Sequence, residues 1–328
     1  MSVNEDSEHR RHPNYRAQQV FRGARQRGVA LLVALLVVAL ATILIAGLLD
    51  RGELAAARTR NALREEQAQA YARGLDNYAA EVLTRAQAQN TGYDAADSIW
   101  AIPLPPTPVP GGTIAAQMTD LNGRFNLNNL DPAYRTHAVW LRKFVLLLNA
   151  LKLDPSIANH IVTWMDLTTP ASADDQFYLA QPVPYRRALR PFAHVSELRL
   201  VAGMDGETYA ALAPYVTALP EGTPININTA SVPVLMTLSS NNMTREMALA
   251  IWQQGGAHYR DRKDVLDAQP TLGAIEDPIC FGVQSSYFLA RGLITLDGLP
   301  FEFDSLIERS APGANGGIRV LQRSRGGD

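Results

Sequence analysis

The sequence predicts an α+β protein in which a long N-terminal helix packs on a small antiparallel sheet and a large helical domain is inserted between the strands. Three observations carry this reading. An apolar run near the N-terminus continues into a proline-free, helix-favouring stretch. Strand signals follow that stretch and return only near the C-terminus. Residues 127–280, between the two groups of strands, are rich in helix formers.

The first element is the apolar run from Val29 to Leu49, which contains no charged residue and is interrupted only by Thr42 and Gly47. As a helix it rises about 31 Å at 1.5 Å per residue, enough to cross a bilayer core of about 30 Å. Six arginines (Arg10, Arg11, Arg16, Arg22, Arg25 and Arg27) precede it, and the mixed segment Asp50-Arg51-Gly52-Glu53 follows. That asymmetry places the N-terminal side in the cytoplasm and the rest of the chain across the membrane. The run is longer than the apolar core of a secretory signal, and Asp50 and Glu53 stand where small residues would mark its cleavage.

The helix is expected to continue through residues 50–96. Residues 53–90 hold Ala, Leu, Glu, Gln and Arg without proline, and Leu63, Ala70, Leu75, Tyr78, Val82 and Leu83 form one interrupted apolar stripe. The segment Asn90 to Asp97 ends it. Pro103, Pro105, Pro106, Pro108 and Pro110 with Gly111-Gly112 then read as a stiff, extended linker. Residues 97–126 comprise this linker and the first strands, with Thr113–Asp120 and Gly123–Asn126 read as a hairpin around Leu121-Asn122-Gly123. Residues 281–324 supply three more strands, Tyr287–Asp297, Phe301–Glu308 and Ile318–Arg323. Asp297-Gly298 and Gly316-Gly317 are turns between them, and residues 325–328 are a tail.

The inserted segment carries a weak internal repeat. Phe125-Asn126-Leu127-Asn128 is echoed by Ile225-Asn226-Ile227-Asn228, and Ile161-Val162-Thr163-Trp164 by Leu249-Ala250-Ile251-Trp252. Phe192 with Val195–Leu198 is echoed by Tyr259 with Asp261–Leu266. Asn128, Asn228 and Thr229 have side-chain oxygens suited to capping helix N-termini.

Composition excludes several functions. With 30 basic and 32 acidic residues, the net charge of −2 gives no global attraction to nucleic acid. Cys280 is the single cysteine and reads as a buried core thiol, so no intramolecular disulfide forms. The six histidines lack the spacing of a zinc peptidase, and neither a Gly-x-Ser-x-Gly elbow nor a Walker loop occurs. His160 and Trp164, four residues apart, read as helix packing.

The junction Arg25-Gln26-Arg27-Gly28, followed by Val29-Ala30-Leu31-Leu32, resembles the processing site of type IV prepilins. The resemblance implies a leader over residues 1–28, cut by a prepilin peptidase between Gly28 and Val29 with methylation of the new N-terminus. Most members carry glutamate at the fifth mature position, where this chain has Val33. A carboxylate inside a bilayer costs about 2.5–3.5 kcal/mol. A subunit that starts a filament has no preceding amine to neutralise and can dispense with that charge. Asp120-x-Asn122-Gly123-Arg124-Phe125-Asn126-x-Asn128-x-Leu130, Trp164-x-Asp166, Pro184-Tyr185-Arg186, Val195-x-Glu197-Leu198 and Leu212-x-Pro214-Tyr215 with Leu219-Pro220 are similar to K-type minor pseudopilins of type II secretion.

That resemblance implies a pilin-like fold with a helix-hairpin-helix or SAM-like insertion, and a role in assembly rather than catalysis. It also implies I-type and J-type minor pseudopilins as partners in the tip complex of the pseudopilus, supporting export of folded proteins from the periplasm. Val29 and Val33 would pack in the filament, the inner membrane would hold residues 29–49, and the insertion could meet the secretin or secreted cargo. Members of the family can bind calcium in the inserted domain, and Asp166, Asp174 and Asp175 are the residues here that would hold it. The plainer reading of these three is solvated turn acids, because Thr168 and Ala173 stand where acid or glycine is common.

Two other functions stay open at this level. Ile225–Ser231 is similar to the opening of helix-hairpin-helix modules, which suggests a membrane-anchored DNA-binding protein of the competence type. However, Leu238–Met243 has no glycine to cradle phosphate, and lysine is confined to Lys143, Lys152 and Lys263, so no nucleic acid is expected. An anchored periplasmic hydrolase would need a deep polar pocket, and the sequence offers no constellation for one.

Overall fold

The computed structural model describes residues 22–89, 92–168, 173–239, 243–310 and 317–326, with side chains from residue 28 onward. The chain forms two compact units, Met1–Glu66 and Gln67–Asp328. Helix α1 (Arg22–Gln89) provides the described part of the first unit and the opening of the second. No proline interrupts it, and Gly92, at φ +79, follows its C-terminal end.

In the second unit, β1 (Leu104–Val109) and β2 (Gly112–Asp120) form a hairpin. The proline-rich segment is therefore a strand rather than a free linker. It stays extended as expected, but lies at the sheet edge, with its register broken between Leu104 and Thr107 around Pro105 and Pro106. Proline has no N–H for a ladder and is tolerated only in such a place. Gly111, at φ +89, makes the turn, and Gln67 and Tyr71 of α1 both donate to the Pro110 carbonyl at 2.9 Å.

The chain then enters the helical insertion through β3 (Phe125–Asn126), which pairs in parallel with β4 (Val216–Thr217). Later β5 (Ile225–Asn226) pairs in parallel with β6 (Phe281–Gly282). Hence Gly123–Asn126 does not fold back on β2 as a hairpin. The residue pattern there serves a different purpose: a Cβ on Gly123 would lie 2.7 Å from the Thr229 carbonyl oxygen, so glycine permits close backbone approach.

The sheet is completed by β7 (Tyr287–Leu296), β8 (Leu299–Arg309) and β9 (Ile318–Arg325), in the order β1-β2-β7-β8-β9, all antiparallel. Asp297-Gly298 forms the turn between β7 and β8, as expected, with both residues at positive φ. Gly316 lies outside the described residues.

Helix α1 packs on this sheet through Ala68, Ala72, Leu75, Ala79, Val82 and Leu83, against Met118, Phe288, Ala290, Ile294, Phe303 and Ile307. Of the expected stripe, Leu75, Val82 and Leu83 are buried, whereas Leu63, Ala70 and Tyr78 are exposed. Small alanines share the contact face with Leu75, Val82 and Leu83, letting helix and sheet approach closely. Gly292 of β7 does the same from the sheet side, since a Cβ there would meet Leu75 at 2.7 Å.

The insertion has one continuous core running from Phe125 to Phe281. Its helices are α2 (His137–Ala150), α3 (Ile157–Met165), α4 (Ala173–Leu179), α5 (Gly206–Leu212), α6 (Val232–Leu235), α7 (Arg245–Trp252) and α8 (Arg262–Ala268). The internal repeat recurs in three dimensions. Each half begins with a two-residue strand ending in asparagine and closes on a parallel two-residue strand. Asn128 accepts from the Phe192 N–H at 2.7 Å and donates to its carbonyl at 3.0 Å; Asn228 clamps Tyr259 in the same way at 2.8 and 2.9 Å. These asparagines are thus buried backbone clamps and not the helix caps expected from sequence. Asn126 and Asn226 instead receive the N–H of Asn128 and Asn228. Thr229, also expected to cap, donates to Asp120.

Candidate functional site: the exposed helix and the insertion junction

Gly28, Val29 and Val33 all lie in α1. Val29 is 62% exposed and Val33 53%, and from Leu31 to Leu49 every leucine, valine and isoleucine is likewise exposed. An apolar surface of this extent has no stable place in water and marks a lipid or protein-binding helix. Its one hydroxyl is satisfied internally, because Thr42 donates to the Val38 carbonyl at 2.8 Å. The helix from Gly28 is long and apolar enough to cross a membrane.

A second constellation lies where the insertion joins the sheet. Asp120, at the end of β2, accepts from Asn122 N–H at 2.7 Å, Ser285 Oγ at 2.6 Å, Asn226 Nδ2 at 3.2 Å and the Thr229 hydroxyl. Asp94 accepts from Trp100 Nε1 at 3.2 Å and Ser285 N–H at 2.8 Å, and pairs with Arg309. Arg309 also donates to the Ser285 carbonyl and lies 4.9 Å from the centre of the Phe288 ring. Asn122 receives the N–H groups of Ser286 and Tyr287. Burial pushes the Asp120 carboxyl above its ordinary range, against the pull of the Ser285 and Thr229 hydroxyls and the Asn122 N–H, while the Asp94 charge adds to the rise. This network joins residues of both halves of the sheet to the insertion. Most of its polar groups are paired with one another.

The sequence motif Asp120-x-Asn122-Gly123 marks one corner of this hub, but Asp94, Ser285 and Arg309 carried no signal. They are far apart in the chain, and only the return of β7 beside β2 brings them together. Most of Ile225–Ser231, the segment similar to DNA-binding modules, is committed to the interior: Asn226, Ile227 and Ala230 are fully buried and Ile225 and Asn228 nearly so. Residues 240–242 of its hairpin lie outside the described residues.

The acidic loop is organised differently from a cation site. Asp175 accepts from Arg187 Nε at 2.8 Å and Nη2 at 3.4 Å, and Arg187, itself buried, also donates to the Thr163 carbonyl at 2.9 Å. Asp166 accepts from both the N–H and the hydroxyl of Thr168 at 2.7 Å. The Asp174 side chain lies outside the described residues. A guanidinium on a would-be ligand repels a divalent cation, and among the described residues no three His, Cys, Asp or Glu side chains are grouped to hold a metal. Among the described residues, Asp166 is taken up by Thr168 and Asp175 by Arg187.

Cys280 is fully buried, as expected, and burial raises its thiol to about 11. Lys143, which sequence reasoning passed over, has a buried ammonium that donates to the Thr237 carbonyl at 3.0 Å and lies 3.6 Å from Asp277. Burial lowers its pKa, opposed by the Asp277 charge.

An apolar anchoring helix, continued into a helix-on-antiparallel-sheet core with a helical domain inserted between the strands, defines a pilin-like subunit with an inserted domain. Residues 123–221 match the family model of type II secretion system (T2SS) protein K. The chain is 33% identical to type II secretion system protein K of Pseudomonas aeruginosa, covering 92% of this chain and 93% of that one. It is 32% identical to the protein of the same name from Pectobacterium carotovorum, covering 93% and 98%. Among solved structures it is similar to a chain of the GspK-GspI-GspJ complex of the enterotoxigenic Escherichia coli Type 2 Secretion System. The TM-score is 0.70 at 29% identity, over 83% of this chain and all of that one. The chain belongs to the type II secretion system protein K family.

Proposed function

We propose that this chain is a minor pseudopilin that works by assembly rather than catalysis, joining I-type and J-type pseudopilins in the tip complex of the pseudopilus. The observation that carries this is its likeness in fold and sequence to the GspK of a solved complex with GspI and GspJ. Residues 29–49 anchor it in the inner membrane, with the N-terminus cytoplasmic and the globular unit periplasmic; the arginines ahead of the apolar run support that orientation. A prepilin peptidase removes residues 1–28 at Gly28–Val29.

Val33 suits a subunit with no neighbour ahead of it, and the insertion, tied through Asn226 and Thr229 to Asp94 and Asp120, is the bulk that closes the tip towards the secretin or cargo. The test is the N-terminal mass of the protein from membranes with and without the peptidase, together with co-purification of the I-type and J-type subunits. A methylated Val29 that appears only with the peptidase, and recovery of both partners, are expected. An intact leader in both strains, or failure to recover either partner, would overturn the reading.

A further inference from the structure

The two edges of the main sheet differ in character. At one, β9 runs for eight residues without a proline and carries Arg319, Arg323 and Arg325. At the other, β1 and its flanks hold Pro103, Pro105, Pro106, Pro108 and Pro110, every one of them exposed. Charged side chains or a proline within a strand are enough to keep an edge from pairing with another chain. Guarding therefore does not account for so many prolines, least of all Pro103 and Pro110, which lie outside β1.

The register shows what this edge presents. Val109 pairs with Gly112 across the Pro110-Gly111 turn, and Thr107 pairs with Ile114. Residues two apart on an antiparallel strand point their backbone groups the same way, so Thr107 and Val109 aim theirs at β2 while Pro108 faces outward. Pro105 and Pro106 fall in the register break, and no proline has an N–H. From residue 105 to residue 110 the outward edge consequently carries carbonyls and pyrrolidine rings but no backbone donor. The segment is also held in place: the Pro110 carbonyl takes two bonds from α1, and the Pro105 carbonyl takes the Thr107 hydroxyl at 2.8 Å. Ile102, 64% exposed, and Tyr78 of α1, 43% exposed, line one hollow with Leu104.

We propose that this edge docks into an aromatic-lined groove of a partner protein, where tryptophan or tyrosine rings stack on the prolines and their N–H or O–H groups donate to the outward carbonyls. Extended proline segments suit such grooves because little conformational freedom is left to lose on binding. A strand added from another protein, or from a second copy of this chain, needs donors and acceptors in alternation and finds no donor here. Recognition by charge is excluded by composition, because residues 98–119 contain no Asp, Glu, Lys or Arg. The proposal stands on this edge alone and does not depend on which subunits accompany the chain in the tip.

The test titrates the full chain in zwitterionic nanodiscs with an EVH1 domain, a groove of this kind, and reads the groove's tryptophan fluorescence. The free peptide of residues 102–112 is titrated alongside. The full chain is expected to bind, and to bind roughly fivefold or more weakly in Pro106→Ala and in Pro108→Ala. Binding is expected to be unchanged in Leu299→Ser, an exposed site on β8 away from this edge, and to vary less than about twofold between about 50 and 500 mM salt. Binding of the free peptide but not of the full chain would show that the folded edge is closed to such a groove and would overturn the proposal, as would binding of neither. Equal binding in both proline variants, with an unaltered circular dichroism spectrum, would overturn it. Tighter binding in either variant would mean strand addition and would overturn it as well.

Discussion

The two halves of the insertion start from the same local device and use it for different ends. In the first, Asn126 turns inward: it receives the Leu219 N–H at 2.9 Å and donates to the Pro220 carbonyl at 2.8 Å, closing its own half. In the second, Asn226 reaches out, donating to the Asp94 carbonyl, the Asp120 carboxylate and the Ser285 hydroxyl. The backbone clamps made by Asn128 and Asn228 are alike, as are the carboxylates that take the N–H groups of Ala193 and Arg260 (Glu197 and Asp264). One half therefore keeps the domain together and the other fixes it to the sheet. The acidic loop and α4 belong to the first half and have no counterpart among the described residues of the second.

The strongest way to break this division is to remove the outward anchor. Asp120→Ala leaves the Thr229 and Ser285 hydroxyls and the Asn122 N–H without this acceptor in a buried site and removes one of the three acceptors of Asn226. A loss of about 3–5 kcal/mol is expected in denaturant unfolding of the full chain. Hydrogen exchange should quicken at Asn122 and at Asn226 while the Phe192 N–H, held by Asn128, keeps its protection. Equal loss of protection in both places would mean that the halves do not divide their roles.

The clamps come next. Asn128→Ala removes three bonds to buried backbone, two at Phe192 and one at Leu219, and Asn228→Ala removes two at Tyr259; each is expected to cost about 2–3 kcal/mol. Similar values from chemical denaturation would sharpen the equivalence of the two halves. A cost at Asn128 below half of that at Asn228 would break it.

What the sequence revealed follows the same division. Periodic or local signals were readable: the apolar run at Val29–Leu49, the strands from Tyr287 onward, the Asp297-Gly298 turn, and the echo of Phe125–Asn128 in Ile225–Asn228. The roles of the echoed residues were not. An asparagine that caps a helix and one that clamps a distant backbone look alike until Phe192 or Tyr259 is brought to it. The helix face was misread because alanines at 68, 72 and 79 carry little hydrophobic weight in a pattern, although their small size sets the helix–sheet distance. The prolines of β1 signalled extension correctly but hid the pairing, since an edge strand needs ladder bonds on one side only. The cut proposed at Gly28–Val29 rests on resemblance alone, because no packing surrounds either residue.

Gly123 tests how closely the halves must approach. Gly→Ala at an unstrained position usually stabilises by about 0.4–1 kcal/mol through the unfolded chain. Here the added methyl would meet the Thr229 carbonyl oxygen at 2.7 Å and its Oγ1 at the same distance. Gly123→Ala is therefore expected to destabilise, by about 1–3 kcal/mol. A gain in thermal stability would show that the junction has slack.

The smallest expected effect lies at the margin of the second half, where His258 Nε2 meets Asp97 at 2.7 Å. The hydrogen bond to Asp97, chiefly, raises the imidazole above its ordinary 6.5, against some loss of hydration. A raised folded-state pKa means that the pair contributes fully below the unfolded value near 6.5 and loses its contribution as pH rises through the folded value. Both side chains are largely exposed (42% and 68%), so solvent screening holds the effect below about 1 kcal/mol. His258→Ala should accordingly lower the melting temperature at pH 5.5 and leave it nearly unchanged at pH 9, with the difference shrinking as salt is added. A deficit of the same size at both pH values would assign the His258 contribution to its edge-on contact with Tyr93, 6.2 Å between ring centres, rather than to charge.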